Sequence, residues 1–261
     1  MFTISVRVSV IVATLTLSLA SDASGQSCTY GPFTSGFDQT ELTWCVSGTG
    51  TLQYLETPSF TEHLTFGLLL EGYAVCSSLT PEFGNDIVNG WDSGGPTGAS
   101  AWGATTASGL SGSGVTIART TADGRLRLTM KFSHDTTNRV VNIATTVRNL
   151  TAAKLYHVVV TRFADIDAGE EATNNLFVNT RNTVTAVNPA ISRGLELNTK
   201  NVKANHEAVI INPFDPVNHG SCAANTESQP ITGDFGAKIF HLLGDLAAGA
   251  SKTVTFRYRE P

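Results

Sequence analysis

The sequence lacks any run with a sustained helical period, and it has only one long apolar segment, Val8–Ala20. This absence argues against a helical fold, and that segment is too short to span a bilayer as a helix. Basic residues are also in the minority, with 17 Lys and Arg against 22 Asp and Glu and a net charge of −5. The composition therefore excludes nucleic acid and anionic membrane surfaces as expected partners, and it predicts that the protein is not an integral membrane protein.

Local signatures of catalysis are missing as well. The glycine-rich run Gly109–Gly114 contains no nucleophile elbow and precedes a predicted strand, so it is not a phosphate-binding loop. The six His residues are scattered, and none lies two or four positions from another. A Ser-His-Asp triad stays an open alternative because its members need not be neighbours in the chain, but no local signature supports one. We therefore assign no catalytic residue and expect no organic cofactor.

The N-terminus has the order of features found in a signal peptide. Met1–Arg7 carries one positive charge, the apolar run follows, and small residues lie before Gln26. We predict that residues 1–25 are removed and that the protein is secreted, to the periplasm or beyond the cell. The alternative is a buried N-terminal strand, since valines alternate from Val6 to Val12.

Cysteine is rare, with four residues in the whole chain, and the number is even. An even count in an exported protein predicts two disulfides. Three pairings are open, and we favour Cys28–Cys45 with Cys76–Cys222 because the first pair closes a short local loop. No cysteine lies two to four residues from another, which argues against a zinc site.

Period-two alternation dominates the rest of the chain. In Arg125–Ser133, apolar residues alternate with charged or polar ones, as in a strand with one buried face. Leu155–Phe163 is apolar on both faces, which is typical of a central strand. We predict one domain over residues 26–261, a large antiparallel β-sandwich of ten or more strands. Two long loops are expected, a Gly/Ser/Thr-rich one at 84–114 and another at 213–235.

Four stretches resemble a class of secreted bacterial all-β proteins without an assigned activity. They are the run from Gly50 to Pro58, Glu62–Leu64, the run from Glu71 to Cys76, and Arg162–Asp167 with Asn174 and Asn175 behind it. The resemblance extends over most of the mature chain and implies an all-β fold. It carries no catalytic residue.

Two tryptophans lie in the predicted glycine-rich loop, Trp91 and Trp102, with Asp92 beside the first. A Trp in such a loop either folds onto the core as a plug or stays exposed as a platform on which a sugar ring stacks. Burial of large apolar surface favours the plug. The platform makes Trp91, Trp102 and Asp92 the candidate ligand-binding residues.

The strongest acidic pattern directly follows the predicted central strand. Asp165 and Asp167 lie at alternate positions, so their carboxylates share one side of an extended chain. Glu170 and Asn174 come soon after. Crowded oxygen ligands suit Ca²⁺, although the spacing is not that of an EF-hand. A solvated acidic turn is the alternative, and a pair of glycosidase carboxylates is a third interpretation, for which Glu71, Glu82, Asp86 and Asp92 are further acids.

Two classes of function remain. The first is a secreted non-catalytic module that binds glycan or a cell-surface polymer, with a structural Ca²⁺. The second is a secreted hydrolase that acts on polysaccharide with Asp or Glu catalysts. A sandwich fold hosts both classes, so the choice depends on the site. The absence of a catalytic signature favours the module. The oligomeric state is not predicted.

Overall fold

The computed structural model describes residues 28–36, 42–57, 61–64, 71–82, 86–92, 102–135, 137–201, 205–215, 217–218 and 221–261. The predicted signal peptide, residues 1–25, lies outside these ranges. Within them the chain forms 18 strands. In chain order they are β1 Tyr30–Ser35, β2 Leu42–Val46, β3 Leu52–Thr57, β4 Thr61–Glu62, β5 Glu71–Ser78, β6 Asp86–Asp92, β7 Trp102–Ser111, β8 Gly114–Thr121, β9 Leu126–His134, β10 Val140–Asn149, β11 Leu155–Asp165, β12 Leu176–Thr180, β13 Thr183–Asn188, β14 Arg193–Thr199, β15 His206–Ile211, β16 Ile231–Thr232, β17 Gly236–Leu246 and β18 Ser251–Arg259.

The strands form three antiparallel sheets, which confirms the predicted all-β sandwich class. Nine strands make the largest sheet, in the order β16-β12-β13-β14-β18-β10-β9-β8-β7. Five make the second, in the order β15-β17-β11-β5-β6, and β1-β2-β3-β4 make the third. Buried side chains from all three sheets form one continuous apolar cluster. The core therefore lies between the sheets.

Alternation explains which face of the nine-stranded sheet is buried. In β9, Leu128, Met130 and Phe132 are buried between exposed or half-buried neighbours. Strands β10 and β18 repeat the pattern. Because successive side chains of a strand point to opposite faces, these residues give the sheet one apolar face and one polar face.

The five-stranded sheet is buried on both faces around β11, as the sequence predicts for a central strand. This strand pairs with β5 on one side and with β17 on the other. Phe163 belongs to a second, smaller apolar cluster with Val209 and Ile211, against which Ala224 packs. The segment that contains Ala224 thus covers the face opposite the main core.

Both predicted disulfides are confirmed. Cys28 bonds Cys45, and Cys76 on β5 bonds Cys222 in the 213–235 segment. Disulfides persist in oxidising compartments, so they indicate an extracellular type of environment. Among the described residues, no helix has the length and apolar character needed to cross a bilayer.

The prediction of one loop over 84–114 needs correction, because this segment contains β6, β7 and the start of β8. Both β6 and β7 are edge strands of their sheets. Nearly all of β7 is exposed or half-buried, so the strand has no apolar alternation that could reveal it. The 213–235 segment agrees better with the predicted loop, since β16 is its only strand among the described residues.

A buried ion pair between Glu71 and Arg162 joins the three sheets. The two side chains are 0% and 1% exposed, and Arg162 Nη2 lies 2.8 Å from Glu71 Oε2. Glu71 also accepts hydrogen bonds from Leu52 N at 2.7 Å and from the Tyr258 hydroxyl at 2.9 Å. Burial raises the pKa of Glu71, and Arg162 opposes this effect. All of these partners donate hydrogen bonds to Glu71, so the surroundings favour the ionised form of its carboxyl group.

The Arg162 guanidinium has further partners in the core. Its Nη2 donates to Gly50 O at 3.3 Å. Its Cζ lies 5.3 Å from the centroid of the Phe132 ring and 5.9 Å from that of Tyr73. Each additional contact offsets part of the cost of placing a charge in the interior.

We predict that Arg162→Met lowers the free energy of unfolding by about 3–5 kcal/mol, because it leaves Glu71 as a buried charge without its counterion. The double variant Glu71→Gln with Arg162→Met should lose less than the sum of the two single variants. Urea unfolding of the four proteins measures this coupling. Strictly additive losses would contradict a coupled pair.

Candidate functional site

The candidate site begins where β11 ends. Asp165 is the last residue of the strand, and Asp167 follows two residues later. Ile166 between them is 1% exposed and Ala168 is 0% exposed, so the chain beyond the strand stays attached to the core. Both aspartates are nevertheless only 3% exposed. The alternating positions predicted from the sequence thus place two carboxylates in the interior.

Backbone hydrogen bonds to the β4 segment hold this turn in place. Asp167 N donates to His63 O at 3.1 Å, and Glu170 N donates to Glu62 O at 3.3 Å. Gly169 N donates to His63 Nδ1 at 3.3 Å, which makes the imidazole a neutral acceptor at this nitrogen. Burial, and secondarily Arg193, lowers the pKa of His63 to about 4 and so agrees with the neutral ring.

Gly169 is required by the shape of the turn. Its φ is +76°, and a Cβ there would lie 2.4 Å from Ile191 Cδ1. A side chain would be strained by the backbone conformation and would also collide with its neighbour. The glycine therefore fixes the path of the acidic turn.

A third carboxylate comes from the distant 213–235 segment. Asp165 pairs with Gly236 in the register of β11 and β17, which brings Asp234 to the same end of the sheet. Gly233 N donates to Asn175 O at 3.0 Å, and this bond fixes the chain next to Asp234 beside the acidic turn. One carboxylate oxygen from each of Asp165, Asp167 and Asp234 lies within 4.8 Å of the other two. Asp234 could not be predicted from the sequence, because no local spacing relates it to the other two.

Burial raises the pKa of all three carboxyl groups, and neighbouring carboxylates raise those of Asp165 and Asp167 further. Burial first, then Asp167 and Asp234, raises the pKa of Asp165 to about 9. Burial first, then Asp234 and Glu171, raises the pKa of Asp167 to about 7. The pKa of Asp234 is raised by burial. A bound cation would reverse this balance, because it favours the ionised form of all three groups.

Two buried oxygens beside the cluster have no hydrogen-bond partner in the described part of the chain. One is Asp165 Oδ1 and the other is Asn175 Oδ1. The Asn175 amide nitrogen donates to Ile166 O at 3.4 Å and to Glu171 O, so its side chain lies against the acidic turn. Leaving an acceptor buried without a donor costs stability, and a cation held by the three aspartates would satisfy Asp165 Oδ1. The cluster can therefore hold a metal ion.

Glu170 and Asn174, the other two metal ligands predicted from the sequence, are exposed. Glu170 is not among the acids whose ligand atoms lie together. Its φ of +60° follows from its place at the corner of the turn. A role for Glu170 and Asn174 as ligands stays a prediction.

Trp102, one of the predicted ligand-binding residues, is 8% exposed at the start of β7. The Arg119 Cζ lies 5.0 Å from the centroid of its ring, and the Tyr73 ring lies 5.5 Å away. A Cβ on Gly90 would come within 2.8 Å of the indole, so the ring also packs on the β6 backbone. Little of the ring is left for stacking in this arrangement. Its ligand role stays a prediction.

Trp91 and Asp92, the other two predicted ligand-binding residues, end β6. Their side chains lie outside the described part of the structure. Their proposed contact with a ligand therefore also stays a prediction.

The acids considered for glycoside hydrolysis are not arranged around an open cleft where the structure describes them. Asp165 and Asp167 are almost closed to solvent, and Glu71 is engaged in its ion pair. A catalytic carboxylate pair must flank a glycosidic bond, which needs access for the sugar. Glu82 is exposed, and the side chains of Asp86 and Asp92 lie outside the described part of the structure.

No protein-family model matches the sequence, and no curated protein matches it.

Solved structures share the fold at very low sequence identity. A bacterial glucoamylase complexed with acarbose matches with a TM-score of 0.59 and 9% identity, over 91% of this chain and 34% of that chain. The Slr1438 protein of Synechocystis sp. PCC 6803 matches with a TM-score of 0.52 and 8% identity, over 90% and 97%. A proposed aldose 1-epimerase of Escherichia coli K12 matches with a TM-score of 0.50 and 11% identity, over 88% and 98%. The chain thus spans about a third of the glucoamylase and nearly all of the other two. At these identities the likeness shows the fold alone.

We predict that Trp102→Ala lowers the free energy of unfolding by about 3–5 kcal/mol, because it removes a buried ring that packs on the Gly90 backbone and on the Arg119 guanidinium. Thermal or urea unfolding measures the loss. A melting temperature equal to that of the wild type, together with weaker glycan retention, would instead identify the ring as a ligand platform.

Proposed function

We propose that this protein is an exported, non-catalytic β-sandwich module that binds glycan or another cell-surface polymer, and that a structural Ca²⁺ stabilises it. The observation that carries the proposal is the group of three carboxylates at the end of β11, two of them buried and Asp234 half-buried. Hard oxygen ligands of this kind suit Ca²⁺. Because Asp165 and Asp167 are almost closed to solvent, the group favours a structural ion over catalysis.

Export is supported by the two disulfides and by the signal-peptide pattern of residues 1–25. Glycan as the ligand is supported by the fold, which is shared with a glucoamylase bound to acarbose. The hydrolase remains the alternative, with acids other than the buried cluster as its catalysts.

We predict that millimolar Ca²⁺ raises the melting temperature of the protein relative to chelator. Binding to the folded state alone contributes about 2.7 kcal/mol when free Ca²⁺ exceeds the dissociation constant a hundredfold. Asp165→Asn, Asp167→Asn and Asp234→Asn should each remove the increment. In chelator, Asp165→Asn should raise the melting temperature near pH 7, because folding raises the pKa of the Asp165 carboxyl to about 9, chiefly by burial, and an amide avoids the cost of protonating it.

Glu170→Gln is the matched control, because it removes the same charge from the exposed corner of the turn. An unchanged Ca²⁺ increment in this variant confines the site to the buried aspartates, and a lost increment adds Glu170 to it. Superimposable wild-type melting curves in Ca²⁺ and in chelator would show that the cluster binds no Ca²⁺.

We also predict that the protein is retained on a glycan surface without chemical turnover. A glycan-array screen finds the ligand, and a reducing-end assay on the same glycans measures hydrolysis. Retention without new reducing ends supports the module. Release of reducing ends at a rate that scales with enzyme concentration would establish the hydrolase instead.

A further inference from the structure

A polar cleft lies on the outer face of the nine-stranded sheet, on the side away from the core. Its volume is about 520 Å³, within the range of small-ligand sites. Arg257 of β18 lies between the buried Phe256 and Tyr258, so its side chain leaves the opposite face. In register with it are Asn198 of β14 and Asn142 of β10. The cleft floor is therefore built on three adjacent strands.

The charge of the cleft is opposite in sign to that of the whole protein. Four cations line it, and a fifth, Arg193, reaches it through Glu260. The four are Arg139, Lys200, Arg257 and Arg259. Three carboxylates lie among them, namely Asp135, Glu196 and Glu260. Five positive and three negative side chains leave an excess of two positive charges, and the α-carboxylate of Pro261, which also lines the cleft, lowers the excess to one, on a chain whose net charge is −5.

The existing ion pairs occupy three of the five cations. Arg259 binds Glu196 through Nε at 2.6 Å and Nη2 at 2.9 Å. Arg139 and Arg193 share the single carboxylate of Glu260. These pairs account for two of the three carboxylates in the cleft.

Asp135, the third carboxylate, is engaged by its own loop. It accepts hydrogen bonds from Thr137 N at 2.9 Å and from Asn138 N and Nδ2, each at 3.0 Å. These bonds, with a smaller contribution from Lys200, lower its pKa. The attraction between Asp135 and Lys200 is therefore weak, and it does not change the excess of cations over acids in the cleft.

Arg257 and Lys200 form no ion pair within the described part of the chain. Arg257 Nε donates to Asn198 Oδ1 at 2.7 Å, which orients the guanidinium and leaves its Nη groups for another acceptor. Burial and the nearby Arg259 lower the pKa of Arg257, so its surroundings disfavour the positive charge and an anionic ligand would stabilise it. Lys200 is fixed at the cleft because its backbone N donates to Thr255 O at 3.0 Å.

We infer that this cleft binds an acidic saccharide, with Arg257 and Lys200 holding the carboxylate or sulfate of the sugar. A planar guanidinium pairs well with such oxyanions. The hydroxyl and amide groups of Thr137, Asn138 and Asn142 line the rest of the cleft and suit sugar hydroxyls. This inference rests on the proposed glycan-binding function and names the substrate class.

Titration calorimetry with four oligosaccharides of equal length tests the inference. An oligogalacturonate supplies carboxylates, its methyl ester is the neutral counterpart, a sulfated galactan fragment supplies sulfate esters, and a desulfated fragment is its neutral counterpart. We expect at least one acidic oligosaccharide to bind more than tenfold tighter than its neutral counterpart, less so at high salt. The two acidic ligands distinguish carboxylate from sulfate.

Arg257→Gln and Lys200→Gln should each weaken binding of the acidic ligand about tenfold, the size expected for a lost charge-assisted hydrogen bond. Arg127→Gln is the matched control, since Arg127 is exposed on β9 of the same sheet and does not line the cleft. The affinity of the Arg127→Gln variant for the acidic ligand should equal that of the wild type. If Arg257→Gln fails to fold, Lys200→Gln carries the test.

Equal affinity for acidic and neutral oligosaccharides, or equal losses in all three variants, would overturn the acidic-saccharide inference and leave the glycan-binding module intact. Absence of binding to every glycan on the array would remove the proposed function as well.

Discussion

The structure depends on one buried ion pair, between Glu71 of β5 and Arg162 of β11. Each charge would be costly in the interior by itself, and both are tolerated because every sheet contributes partners. Leu52 comes from the four-stranded sheet, Tyr258 from the nine-stranded sheet, and the pair itself from the five-stranded sheet. Apolar packing fits many arrangements of three sheets, whereas this set of donors around one carboxylate fits a single arrangement.

Strand β11 carries two kinds of buried charge. Near its middle, Arg162 meets a carboxylate of opposite sign, and the charges balance. At its end, Asp165 meets Asp167 and Asp234, and nothing in the described chain balances them. Strand pairing holds the backbone at Arg162, and N–H groups of the acidic turn donate hydrogen bonds to Glu62 and His63 beyond the end of the strand. Because its charges are unbalanced, the end of the strand is where a cation could be held.

The acidic cluster and the cleft with an excess of cations lie in different parts of the protein. The buried acids lie at one end of the five-stranded sheet, and the basic cleft lies on the outer face of the nine-stranded sheet. A net charge of −5 describes neither place, because it averages over both. Lys and Arg residues that are spread along strands in the sequence come together in the cleft through the side-by-side pairing of β14, β18 and β10.

The sequence by itself determined the strands with one buried face, the central position of β11, the number of disulfides and the shared side of Asp165 and Asp167. These features follow from period-two alternation or from the even number of cysteines, whereas the structure decided among the three possible cysteine pairings. Only the tertiary structure decided the edge strands β6 and β7, the burial of Trp102, the arrival of Asp234 and the cleft around Arg257. An edge strand with two exposed faces leaves no apolar pattern, and residues distant in sequence meet only through strand register, which non-local pairing sets.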